Sequence, residues 1–214
     1  HIEIYGNEVL NRNLVDGLIV ESQSLEDGVS VRIKVKRGVT IKNPVHFCFG
    51  LIPENGVQRI VINTVIEEGA HAQFIANCTF PNAINIQHLM NAEIELEKGA
   101  SLSYFERHVH GPNGGVKIVP VTKVRLGEGA RFSTEFELIK GAAGVIELDY
   151  AAEVEKDATV DMKTRIFGRL EDSIHIRESA NLLGESSTGI LTSHIAIKDK
   201  ASAIIENEIV ANAP

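Results

Sequence analysis

The stretch IANCTFPNAINIQH, from Ile75 to His88, holds Cys78, one of two cysteines in the chain, with a histidine ten residues on. A thiol acts as nucleophile, sulfur carrier or metal ligand only as the thiolate. An imidazole beside it can take its proton or share its ligand. Read by itself, Cys78 is either a small buried thiol or a reactive one. A second stretch, RHVHGPNGG from Arg107 to Gly115, places His108 and His110 two residues apart. On a strand both rings point the same way, so both could reach one metal ion.

The two histidines superficially suggest a metal-dependent enzyme of cupin type. The glutamate that such a pattern wants after the second histidine is missing, and Gly114 and Gly115 follow instead. The plainer reading is a solvated strand end that runs into a Gly/Pro turn. Cys48, between Phe47 and Phe49, reads as a buried inert thiol. Glu147, Asp149, Glu171 and Asp172 could serve a hydrolase only if two of them converged across a cleft. No phosphate-binding glycine motif, nucleophile elbow or Cys-x-x-Cys is present.

These residues need elements to position them, and the chain repeats itself. EEGAHAQF, EKGASLSY and GEGARFST place Gly69, Gly99 and Gly129 at intervals of 30 residues. KRGVTIKN precedes the series with Gly38, and EKDATVDM continues it with Asp157 in the glycine position. KDKASAII is taken as the last copy, 43 residues further on when counted from Ala158 to Ala201. On that alignment Ile66, Leu96, Leu126, Val154 and Ile197 form one apolar column, with polar residues in between. Alternation at period two means half-buried strands, and Gly or Asp at the turn tolerates positive φ. A strand–turn–strand unit repeated about every 30 residues predicts a stacked all-β solenoid rather than a sandwich. GLIPENGVQ, FPNAINIQ, HVHGPNGGVK, KGAAG and NLLGESSTG read as irregular loop insertions, and Arg169–Gly189 as a longer excursion. Asn11–Ser24 reads as strand and turn as readily as helix.

The totals agree with such a fold. The chain has 214 residues, 43% hydrophobic and 5% aromatic, with no Trp. Val, Ile and Ala carry the apolar load, as in stacked sheets. A net charge of −8 argues against nucleic acid or an anionic membrane as the main partner. There is no run of 18 apolar residues and no signal peptide, and two cysteines fit a reducing cytoplasm. No linker divides residues 1–214, so one domain is expected. The chain opens without Met and stops after a strand-like run, which reads as a fragment.

From about Arg59 onward the chain resembles the core of the SufB/SufD family of iron–sulfur cluster assembly proteins. The resemblance lies in RIVINTVIEEGAHAQFIANCTFP, QHLMNAEIELEKGASLSY and GILTSHIAIKDKASA, and most closely in CTFP (Cys78–Pro81) with His88. Residues 1–58 contribute little to it. The resemblance implies a right-handed parallel β-helix that acts as a non-catalytic scaffold. It implies a homo- or heterodimer with a SufB/SufD-type subunit, a SufC-like ABC-type ATPase and a cysteine desulfurase system as sulfur donor. Cys78 would lie on the sulfur-transfer route, with His88 as a proton-carrying or ligating neighbour. That role implies a lowered thiol pKa or a conduit to solvent. No cofactor is implied as permanently bound, only a transient iron–sulfur cluster in the full complex. The family's later scaffold cysteine has no counterpart in Ala203–Val210, and its ATPase-docking helical region lies beyond Pro214. Beside this reading stand the cupin-like enzyme and a solenoid interaction module without chemistry.

Overall fold

Apolar residues at every second position give nearly every segment one face to bury, and strands are the elements that suit that pattern. The computed structural model describes residues 2–12 and 15–212, and among these there are sixteen β-strands and no helix. They are β1 (Ile2–Tyr5), β2 (Glu8–Arg12), β3 (Leu18–Ser24), β4 (Val29–Val35), β5 (Val45–Gly50), β6 (Asn55–Ile66), β7 (His71–Phe80) and β8 (Asn85–Leu96). Then follow β9 (Ser101–His110), β10 (Val116–Leu126), β11 (Arg131–Lys140), β12 (Gly144–Val154), β13 (Thr159–Gly168), β14 (Ser173–Leu182), β15 (Thr188–Ile197) and β16 (Ser202–Ala211). In the ambiguous 11–24 stretch, β3 is a strand, while residues 13 and 14 lie outside the described residues.

Two eight-stranded sheets result, ordered β15-β13-β11-β9-β7-β5-β1-β2 and β16-β14-β12-β10-β8-β6-β4-β3. From β4 onward the chain passes from one sheet to the other at each turn, and each strand pairs in parallel with the strand two further on. This is the expected parallel β-helix. Among the described residues only β1–β2 and β3–β4 pair antiparallel, and they close one end. Stacked coils are offset by 28 residues at β10–β12, 30 at β6–β8 and 31 at β4–β6.

One corner stacks the recurring turns into a backbone ladder. The amide of Gly38 donates to Glu68 O, Gly69 to Lys98 O, Gly99 to Glu128 O, Gly129 to Lys156 O and Asp157 to Glu185 O. The left-handed residue at this corner is Gly69 (φ 63°), Gly99 (65°), Gly129 (67°), Asp157 (57°) and then Ser186 (59°). Ala70, Ala100, Ala130 and Ala158 pack beneath it, fully buried.

The last repeat is therefore not where the spacing put it. Val154 stacks on Leu182, not Ile197, and the apolar column reads Ile66, Leu96, Leu126, Val154, Leu182. The KDKASA turn belongs to the opposite corner, where Asp199 (φ 60°) accepts a hydrogen bond from the amide of Leu170 (φ 56°). The 43-residue interval spans a change of corner and no excursion. Nor are the five irregular segments insertions. They are short turns, and the first four stack on that opposite corner at residues 51–54, 81–84, 111–115 and 141–143.

The last described coil, β15 and β16, exposes aliphatic side chains on both faces: Ile197, Ile205 and Ile209 on the inner one, Ile190, Ile204 and Val210 on the outer one.

Candidate functional site

The bore between the sheets is apolar except where particular strands turn polar side chains inward. On β7 and β9 the paired inward positions are Ala76/Glu106, Cys78/His108 and Phe80/His110. On the facing sheet, His88 of β8 is in register with Gln58 of β6. Cys78, His88 and Glu106 are 0% exposed, His108 1% and His110 6%. Thus the structure brings Cys78, His88 and His108 into one cluster. It adds Glu106 and Gln58, which the sequence reading passed over.

Hydrogen bonds fix the orientations. Gln58 Nε2 donates to Gly6 O (2.7 Å), so its Oε1 faces His88 Nδ1 at 2.9 Å. Nδ1 of His88 must then carry the proton, and its Nε2 is a bare lone pair without a partner among the described residues. His110 Nδ1 donates to Ala142 O (3.3 Å), so its Nε2 accepts from His108 Nδ1–H (3.3 Å). His108 Nε2 lies 2.7 Å from Glu106 Oε1, a contact that needs one proton between them. Tyr104 donates to Glu106 Oε2 (2.8 Å), and Cys78 Sγ lies 4.0 Å from Glu106 Oε1. Phe80 and Phe136 wall the cluster, with ring centroids 5.1 Å from His88 and 4.8 Å from His108 respectively.

Desolvation dominates the electrostatics. Burial, then the charge of Glu106, pushes the Cys78 thiol well above its ordinary value. Burial, then His108, lowers both His88 and His110 to about 3. Burial pushes the Glu106 carboxyl up, but the His108 hydrogen bond and charge outweigh it and hold the group below the usual carboxylate range. The thiol is neither exposed nor acidified, contrary to what the sulfur-transfer role led us to expect. Nothing beside it supplies enough positive charge to offset its desolvation.

The other sequence-derived positions differ in part from expectation. His108 and His110 are not a solvated strand end, because β9 turns both inward. Cys48 is half-buried on the outer face, while Phe47 and Phe49 point in, so it is no core filler. Burial, then Glu3, raises its thiol pKa. Asp172 is buried and caps a corner, accepting from the amides of Gly144 (2.8 Å) and Arg169 (3.0 Å). Glu147 and Glu171 stay in solvent and Asp149 is half-exposed, so no hydrolase pair forms. A parallel solenoid also leaves no place for the cupin barrel.

Further polar side chains follow the bore towards the last described coil. The charges of Glu106 and Glu178 both act on buried Tyr150. Thr164 donates to Glu178 Oε1 (2.7 Å), Ser193 to Glu178 Oε2 (3.5 Å), and Asn207 Nδ2 to Ser193 Oγ (3.1 Å).

No family model matches the chain. Three curated archaeal proteins do, each described as an iron–sulfur cluster assembly SufBD family protein. The one from Methanocaldococcus jannaschii is 33% identical over 199 residues, 93% of this chain and 63% of its own length. That from Pyrococcus horikoshii is 28% identical over 97% of this chain and 63% of its length. That from Archaeoglobus fulgidus is 26% identical over 88% of this chain and 50% of its length.

Proposed function

Because the chain belongs to the SufBD family of iron–sulfur cluster assembly proteins, we propose that its solenoid is a non-catalytic scaffold in that assembly. The chain spans about 63% of the length of the first two relatives, so the partners proposed here are those of a full-length protein. They are a second SufB/SufD-type subunit, a SufC-like ATPase and a cysteine desulfurase system, all in the cytoplasm. No described helix is long and apolar enough to cross a membrane. The iron–sulfur cluster is the cargo of this process, held only transiently in the full complex.

The observation that carries the reading is Cys78, the thiol of the CTFP stretch, set with His88 in a buried polar cluster within a mainly apolar bore. In its proposed role Cys78 accepts sulfane sulfur. Its thiolate attacks the outer sulfur of a donor persulfide, a new S–S bond forms, and the donor cysteine leaves as its thiolate. A raised thiol pKa makes this step depend on a conformation or a cation that offsets the desolvation. The donor cysteine itself has to reach Cys78, and the polar row through Tyr150, Glu178 and Asn207 runs from the cluster to β16.

Reconstitution of the full-length protein and its partners with ferrous iron and sulfide tests this. Cluster absorbance is expected for the wild type, with a several-fold loss in Cys78→Ser. Equal yields would remove Cys78 from the route, and no cluster on the wild type would overturn the scaffold reading.

A further inference from the structure

We propose that Cys78, His88, Glu106 and His108 form a closed site for one divalent transition-metal ion of the zinc and ferrous-iron class. Each residue offers one ligand atom, and these atoms all lie within 4.8 Å of one another. A tetrahedral site with bonds of about 2.0–2.3 Å needs ligand atoms roughly 3.3–3.7 Å apart. The cluster therefore has to contract by only about 1 Å, within reach of side-chain rotation. One sulfur, two imidazole nitrogens and one carboxylate oxygen suit zinc or ferrous iron. Magnesium and calcium, which take oxygen ligands, are disfavoured.

Two features distinguish this from a polar network that merely satisfies itself. First, His88 Nε2 is fully buried and unpartnered, its lone pair directed by Gln58 behind it. An orphaned acceptor in a core costs stability unless something arrives to use it. Second, both histidines are held from behind, His88 by Gln58 and His108 by His110, itself bonded to Ala142 O. Such outer partners fix tautomer and ring orientation at metal centres.

The charge balances as well. Without metal the site holds a neutral thiol and one proton shared by His108 and Glu106. The ion takes the place of both protons, leaving a thiolate, a carboxylate and two neutral imidazoles around a dication. Net charge in the bore is unchanged, so the desolvation that keeps the thiol protonated is offset by the ion. His110, 6% exposed, stands at the edge of the cluster beside the 111–115 turn.

The site shares Cys78 with the sulfur-accepting role but does not depend on it, because donor geometry alone carries it. The test is a Co2+ titration of the chelator-treated chain without sulfur donor, sulfide or partners, followed by visible absorption. It is run on native protein and on protein refolded with Co2+ present. One equivalent per chain is expected, with four-coordinate d–d bands and a thiolate charge-transfer band. Cys78→Ser should abolish the charge-transfer band. His88→Gln and Glu106→Gln should weaken binding by about 100-fold or more, and Gln58→Met by about 10- to 100-fold, with the β circular-dichroism spectrum retained. No stoichiometric binding in either preparation would overturn the proposal. So would binding that Cys78→Ser and His88→Gln leave unchanged. Failure of cluster reconstitution would leave this titration unaffected, and the converse holds too.

Discussion

At the scale of single residues, the bore trades solvation for enclosure, and stability should follow pH accordingly. His88 and His110 titrate near 3 when folded and near 6.5 when free. Between those values the unfolded chain binds more protons, so stability falls as pH drops below about 6.5. Each imidazole contributes on the order of a few kcal/mol by full acidification. Glu106, lowered by its bond to His108, adds a loss in the same direction further into acid. Cys78 acts oppositely, because its raised pKa favours the neutral thiol, and stability is lost as pH rises above the free value of 9.0. Urea midpoints of the metal-free protein should therefore pass through a maximum between about pH 7 and 8.5, and His88→Gln should flatten the acid limb. An acid limb unchanged in that variant would contradict the assignment. Part of this site was legible in the sequence. Counting by twos from inward Leu102 reaches Tyr104, Glu106, His108 and His110, so Glu106 had a signal. Gln58 had one too, since counting back by twos from Ile66 reaches it and the 30-residue interval sets it beside His88. What no single strand shows is that these polar side chains meet, because the contact joins separate coils.

At the scale of elements, period-two alternation made the strands and one corner readable. The last repeat was misplaced because both corners use the same turn chemistry. KDATV and KDKASA share a lysine and an aspartate before alanine, yet they lie on opposite sides of the coil. A local motif cannot tell the two corners apart. Only the interval can, and it changes from 30 to 28 residues after β10. The corners differ in what they tolerate. An added Cβ at Gly99 meets nothing within 4 Å, so only its φ of 65° resists substitution. At Gly141, φ is 87° and the added Cβ would run into the carbonyl of His110. Gly99→Asn should be nearly neutral and Gly99→Ala cost about 1 kcal/mol. Gly141→Ala should cost more, about 2–4 kcal/mol, by adding steric displacement beside the metal-site histidines. Denaturant midpoints check the order, and equal costs at both glycines would refute the stacked-corner account.

At the scale of the whole molecule, one end is closed by antiparallel strands and the other presents β15 and β16 with six exposed aliphatic side chains. Unpaired strand edges and exposed apolar surface favour pairing with another chain. In keeping with the proposed dimer, light scattering of the full-length protein should give twice its monomer mass. Ile204→Lys with Ile209→Lys should halve it without changing the β spectrum, and a monomeric wild type would count against pairing there. The stacked order has a mechanical consequence too. Where each coil touches only its neighbours, a disturbance passes from coil to coil rather than through the whole core at once. β9, which carries Glu106 and His108, lies three strands from β15 in its sheet. A partner can thus dock on β15 and β16 and leave again before the interior chemistry is disturbed.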